Sequence, residues 1–199
     1  MVCNPISKNI QGIPSIRNFV GVRMAKKVLK ADLSISGLRK LQSDLEKYKD
    51  NIMYKCQLLA ERLAERGVEI ARVRVAELDA IFTGELIESI HEEYKGSIPG
   101  GAIFAVVADS SHSLFVEFGS GQRGADHPYP YPLPDGISWD YNVGKTIRQS
   151  ASGRYYWFYP GKDGKWHYTE GMPARPFMYE TAMQLYQEVT DVAKEVFGK

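Results

Sequence analysis

The sequence predicts an α+β fold in which a long N-terminal helix and a C-terminal helix pack on a small antiparallel β-sheet, with an aromatic- and proline-rich insertion. Three observations predict it. An apolar stripe with helical spacing runs from Ser36 to about Arg66, and a second runs from Met178 to Val196. Between them lie short alternating runs divided by glycine, proline and serine turns. A chain of 199 residues can build one domain with a real core. Its 44% hydrophobic and 25% charged content is that of an ordinary soluble globular protein. Residues 1–32 read as a basic, weakly ordered N-terminal extension, and residues 33–199 as a single α+β domain carrying an insertion loop and hairpin over 119–170.

The extension holds Lys8, Arg17, Arg23, Lys26, Lys27 and Lys30, and its first acid is Asp32. Pro5 and Pro14 interrupt the amphipathic helix that a transit peptide needs. Met24-Ala25-Lys26-Lys27 reads as a natural start, with residues 1–23 as an upstream extension; a basic arm that touches DNA or a partner is the alternative.

The long helix is predicted from Leu38, Leu41, Leu45, Tyr48, Ile52, Cys56, Leu59 and Leu63, with Ser36 as N-cap and Gly67 as its stop. It spans roughly 45 Å, against a radius of gyration of about 16 Å for a compact chain of this size. It therefore crosses the molecule and reads as one amphipathic core helix; the alternative is that one end contacts a neighbouring subunit. Residues 68–80 are ambiguous: Val68, Ile70, Val73 and Val75 alternate as in a strand, while the Ala and Glu content favours a second helix, the reading adopted here. Thr83-Gly84-Glu85-Leu86 reads as a cap and one helical turn. Residues 86–95, 101–109 and 112–118 follow as strands of an antiparallel meander, with turns at Pro99-Gly100-Gly101 and Asp109-Ser110-Ser111. In the insertion, Pro128, Pro130, Pro132 and Pro134 alternate with Tyr129, Tyr131 and Leu133 and favour extended backbone. The runs 155–159 and 165–168 flank Pro160-Gly161-Lys162-Asp163-Gly164, a hairpin signal. Met178, Ala182, Leu185, Val189, Val192 and Val196 mark the last helix, and Pro176 sits just before it.

The chemistry in the sequence is sparse. Gly119-Ser-Gly121-Gln-Arg-Gly124 spells the dinucleotide motif, but Pro128 and three further prolines follow where a phosphate-binding helix should open, so it reads as a flexible glycine loop leaving a strand. Ser110-Ser111-His112 lacks the spatial triad that nucleophilic catalysis requires. His91, His112, His127 and His167 show no ligand spacing, and Cys3 and Cys56 form no metal or redox pair. Glu117, between two aromatics, reads as a strand residue on the solvent or subunit face. No catalytic residue, cofactor or metal is expected. A net charge of +1 gives no global attraction to nucleic acid or an anionic membrane, and no apolar run approaches the roughly 20 residues of a membrane span. Residues 119–170 hold five acids against six bases, which argues against nucleic acid as a partner. The interleaved Tyr and Trp still admit a single-stranded nucleic-acid-binding module as the alternative function. They also suit a self-packed minicore or a protein interface.

Several segments together resemble the head–tail joining, or tail-completion, family of long-tailed bacteriophages. Ile35-Ser-Gly37-Leu38 is similar to the family's opening, and Phe82-Thr83-Gly84-Glu85-Leu86-Ile87-Glu88-Ser89-Ile90 to its Thr-Gly-x-Leu-x-x-Ser-Ile signature. Phe115-Val116-Glu117-Phe118-Gly119 resembles its central strand, and Pro173-Ala174-Arg175-Pro176-Phe177-Met178 its closing motif. The match covers about residues 33–198; the N-terminal 1–32 and the large insertion depart from it. The resemblance implies a non-enzymatic virion protein of the neck or upper tail, made in the host cytoplasm. It implies self-assembly into a hexameric ring and contacts with other neck and tail proteins. On it, Phe115, Glu117, Phe118, Arg175, Pro176 and Phe177 are signature residues, with Trp157 and Trp166 as interface candidates.

Overall fold

The computed structural model describes residues 34–78, 84–141, 147–161 and 163–198. The basic extension with Met24, the Phe82-Thr83 part of the second motif and Lys162 of the hairpin turn lie outside them.

Helix α1 (Ile35–Glu77) is 43 residues long, about 64 Å at 1.5 Å per residue. Its N-cap is Ser34 rather than Ser36: the Ser34 hydroxyl accepts from the Gly37 N–H at 3.0 Å, and Ser36 already lies in the first turn. Gly67 does not stop the helix. A Cβ at that position would stand 2.7 Å from Val106 Cγ2 and 3.4 Å from Leu185 Cδ2, so this glycine serves a close approach of three elements. The ambiguous residues beyond it continue α1. Ala64, Gly67, Val68, Ala71 and Val75 are buried with helical spacing, whereas Val73 is 54% exposed.

After the short helix α2 (Glu85–Ser89), strands β1 (Ile90–Ile98) and β2 (Gly101–Ala108) form one antiparallel hairpin, from Ile90 opposite Ala108 to Ile98 opposite Gly101. Residues 86–89 are thus helical, not extended: a turn of helix aims both Leu86 and Ile90 at the core. The hairpin turn falls at Pro99-Gly100, where Gly100 has φ +85°.

The expected third strand is a helix, α3 (Ser113–Phe118). Its turn is set by Ser110, whose carbonyl accepts from both the N–H and the hydroxyl of Ser113. Val116, Glu117 and Phe118 are all buried, and a strand with one covered face cannot bury three successive side chains. A helical turn sends them in three directions. The glycine loop is also helical: α4 (Gly121–Asp126) ends at His127, so the first proline acts one residue beyond it.

The insertion ends in a second, three-stranded antiparallel sheet of β3 (Arg148–Gln149), β4 (Tyr155–Pro160) and β5 (Trp166–Thr169). Helix α5 (Phe177–Phe197) then runs antiparallel to α1, since Arg66 meets Glu188 while Arg74 meets Gln184 and Glu180. Its buried side includes Thr181, whose hydroxyl donates to the Phe177 carbonyl at 2.7 Å; Ala182, expected in the stripe, is exposed. The core gathers Val68, Ala71, Val75, Leu86, Ile90, Val116 and Phe177 from α1, α2, β1, α3 and α5. The architecture is therefore α+β, with the long first and last helices packed together and α1 lying on the hairpin.

Gly67 supplies a direct check. Ala or Val there improves helix propensity by up to about 1 kcal/mol, but overpacking a tight core contact costs about 1–3 kcal/mol. Gly67→Val is expected to lower the urea midpoint of unfolding, and an unchanged or raised midpoint would show that α1 and β2 do not meet this closely.

Candidate functional site

Helix α5 begins inside the protein. Phe177 is fully buried, and Pro176, at the N-cap position, offers no side-chain acceptor for the first N–H groups. The acceptor comes from α3. Glu117 Oε2 accepts from the Met178 N–H at 2.8 Å, and Oε1 accepts from the Tyr179 N–H at 3.2 Å. The partners are 61 residues apart in sequence, so the cap is tertiary. Beside it, the Arg175 N–H donates to the Val116 carbonyl at 2.8 Å. A carboxylate here also faces the positive end of a helix dipole.

Burial is the leading influence on the Glu117 carboxyl and raises its pKa above the ordinary 4.5; the helix N–H groups and Tyr129 oppose it. The Tyr129 hydroxyl donates to Oε1 at 3.4 Å, and burial followed by the adjacent carboxyl pushes its own pKa upward.

A cluster of rings covers this joint. Phe118 meets Tyr129 at 4.9 Å and Trp139 at 5.1 Å, while Phe115 meets Trp139 at 5.8 Å. Tyr131 stacks on Tyr179 of α5 at 3.9 Å. Alternation with proline puts Tyr129 and Tyr131 on one side of the extended chain and leaves the prolines exposed. The Trp139 indole N–H donates to the Gly119 carbonyl at 2.9 Å.

The G-x-G-x-x-G segment works by letting backbones touch. A Cβ on Gly119 (φ +83°) would lie 2.8 Å from the Ala174 nitrogen, and one on Gly121 (φ +61°) 2.5 Å from Trp157 Cζ3 and 2.6 Å from the Glu170 oxygen. One on Gly124 would lie 2.7 Å from Tyr141 Cδ1. Ser120 and Met172 exchange both backbone hydrogen bonds, at 2.9 and 3.0 Å. Arg154 clamps the same corner from outside, reaching Glu170 at 2.6 Å and Asp126 at 3.2 Å.

Of the residues singled out from sequence, Glu117, Phe118, Pro176 and Phe177 meet in this joint, with Phe115 on its aromatic side. Arg175 joins through its backbone. Glu117 corrects its expected place, being a buried helical residue and not a surface strand residue. Trp157 and Trp166 lie elsewhere. Trp157 is half-buried, with its ring packed against Gly121. Trp166 is 70% exposed and shares the open face of β4–β5 with Phe158 and Tyr168. Tyr129, Tyr131, Trp139 and Tyr179 escaped the sequence reading; the proline–tyrosine alternation was the signal for the first two.

The joint offers a structural cap, with the Glu117 oxygens engaged by two helix N–H groups and a phenol. Ser110 is buried and its hydroxyl accepts from the His112 N–H at 3.3 Å, while the His112 ring is exposed. Among the described residues, no three His, Cys, Asp or Glu side chains gather as a metal site, and no helix is long and apolar enough to cross a membrane. No protein-family model matches the sequence, and neither a curated protein nor a solved structure matches it.

Glu117→Ala leaves two buried N–H groups without acceptors and is expected to destabilise by about 1–3 kcal/mol. Glu117→Gln, which keeps an acceptor, should lose less. Because folding raises the carboxyl pKa, its contribution is full below the ordinary 4.5 and fades as pH rises through the higher folded value. Wild-type stability should accordingly fall relative to Glu117→Gln across that rise; parallel chemical-denaturation curves for the two would contradict the assignment. Gly121→Ala combines a positive φ with a clash against Trp157 and is expected to lower stability by more than about 1 kcal/mol, with tryptophan emission moving to the red.

Proposed function

We propose that this chain is a virion structural protein of a long-tailed bacteriophage, one that completes the tail or joins it to the head and assembles as a ring in the neck or upper tail. The observation that carries the reading is the joint itself. Val-Glu-Phe-Gly and Pro-Ala-Arg-Pro-Phe-Met, two of the segments that resemble the tail-completion family, form one structural unit in which the first caps the helix opened by the second. In this chain Val-Glu-Phe-Gly is a helical turn and not the strand the resemblance implies. A ring needs rigid protomers with two different mating surfaces. The paired α1 and α5 supply the rigidity, and the exposed Phe158, Trp166 and Tyr168 supply one candidate surface rich in interface-type residues.

The same three rings favour the second reading, a module that stacks the bases of single-stranded nucleic acid. Charge counts against it. Residues 119–170 hold five acids against six bases, and Arg154, just before β4, is paired with Glu170 and Asp126.

A stop codon at Lys40 in the phage or prophage that carries the gene tests the first reading. Negative-stain electron microscopy should show DNA-filled heads apart from finished or over-long tails. Intact infectious particles would refute the role. Anisotropy of a labelled single strand tests the second, which predicts binding that weakens with salt and is lost in Trp166→Ala.

A further inference from the structure

The first part of α1 carries an apolar face that the described body does not bury. Buried residues on α1 begin only at Ala64. The far end of α5 reaches back to Lys55, which lies 5.9 Å from the Phe197 ring centre, and the tip of the β1–β2 hairpin reaches Tyr54. Residues 35–52 extend past both, for about 27 Å of helix.

Along this stretch Leu38, Leu41, Leu45, Tyr48 and Ile52 follow strict steps of three and four, a mean period of 3.5 and not 3.6. After Ile52 the steps change, to Cys56, Leu59 and Leu63, and the stripe turns onto the body. The heptad phase is thus confined to the part that the described body does not bury. Leu38 and Leu45 are 48% and 49% exposed, and the shallow depression they line with Leu41 belongs to this one helix. Arg39, Lys40, Lys47 and Asp50 occupy the opposite side, while Gln42 and Glu46, hydrogen-bonded to each other, flank the depression.

We propose that residues 35–52 of α1 pair in parallel with the same segment of a second copy of this chain, as a short coiled-coil seam. With Leu38, Leu45 and Ile52 at the a positions and Leu41 and Tyr48 at d, Asp44 falls at g and Lys49 at the following e. In a parallel pair, g of one copy faces e of the next heptad of the other. Asp44 therefore meets Lys49 of the second copy, and the symmetry supplies the pair twice. An antiparallel pair sets g against g and e against e, bringing Asp44 toward Asp44 or Asn51 and Lys49 toward Lys49 or Gln42. The charges select the parallel arrangement. The inference goes beyond the tail-completion reading and stands without it, because it is tested on the purified full chain.

Sedimentation equilibrium of that chain should show a mass that rises reversibly with concentration above the 22.4 kDa of one copy. Leu38→Asp/Leu45→Asp changes exposed side chains only, so circular dichroism should stay native while association requires at least about tenfold more protein. Asp44→Lys sets like charges together and should weaken association; Asp44→Lys/Lys49→Asp should restore it. A wild-type protein that stays monomeric to millimolar concentration would overturn the proposal. So would association that survives Leu38→Asp/Leu45→Asp, which would move the contact to another surface such as the Trp166 face. Failure of the double charge swap to restore association would overturn the parallel pairing.

Discussion

The fold depends on a carboxylate placed where a helix begins without solvent. Phe177 must be buried to complete the core, which forces the first turn of α5 into the interior, and Pro176 leaves that turn without a local cap. Buried N–H groups need partners. Glu117 provides two acceptor bonds at once, and in doing so fixes α3 against α5. Since α5 lies along α1 and Tyr129 reaches the same carboxyl, one side chain sets the relation of the helical body to the insertion. The desolvation of that carboxyl opposes the arrangement, and the directed N–H groups offset it.

The two halves of the molecule are held by different physics. Between α1 and α5 the apolar contacts around Val68, Ala71, Val75 and Phe177 dominate. The Arg66–Glu188 pair on their border has side chains 42% and 28% exposed, where ion pairs contribute on the order of 1 kcal/mol or less. Among the described residues, the insertion has no comparable apolar core. It is attached by backbone approach at Gly119, Gly121, Gly124 and Gly171, by indole and phenol hydrogen bonds, and by ring contacts.

Periodicity made α1 and α5 legible, because each repeats its pattern over many turns. It failed where segments were short. A six-residue apolar run such as Ser113–Phe118 fits a strand or a turn of helix equally, and only its three burial directions decide. Glycine misled twice for one reason. At Gly67 and in Gly119–Gly124 its value is the missing Cβ, which admits a neighbour, and nothing local in the sequence separates that use from a helix stop or a loop. Glu117, Pro176 and Phe177 could each be singled out as residues, but their meeting could not, since contact across 61 positions leaves no local pattern.

Distance along the chain also governs when this protein can fold during its synthesis. The face of α1 that forms the core leaves the ribosome long before its partner: Arg66 and Glu188 are separated by 122 residues, roughly 6 to 24 s of translation at about 5–20 residues per second. Once β1 and β2 have emerged, Val68, Ala71 and Val75 have the hairpin to lean on but no α5. Glu117 has already emerged, yet the N–H groups it caps have not been made. The nascent chain therefore carries a formed helix with an open apolar side until α5 appears, a period in which holdase chaperones have a defined surface to shield.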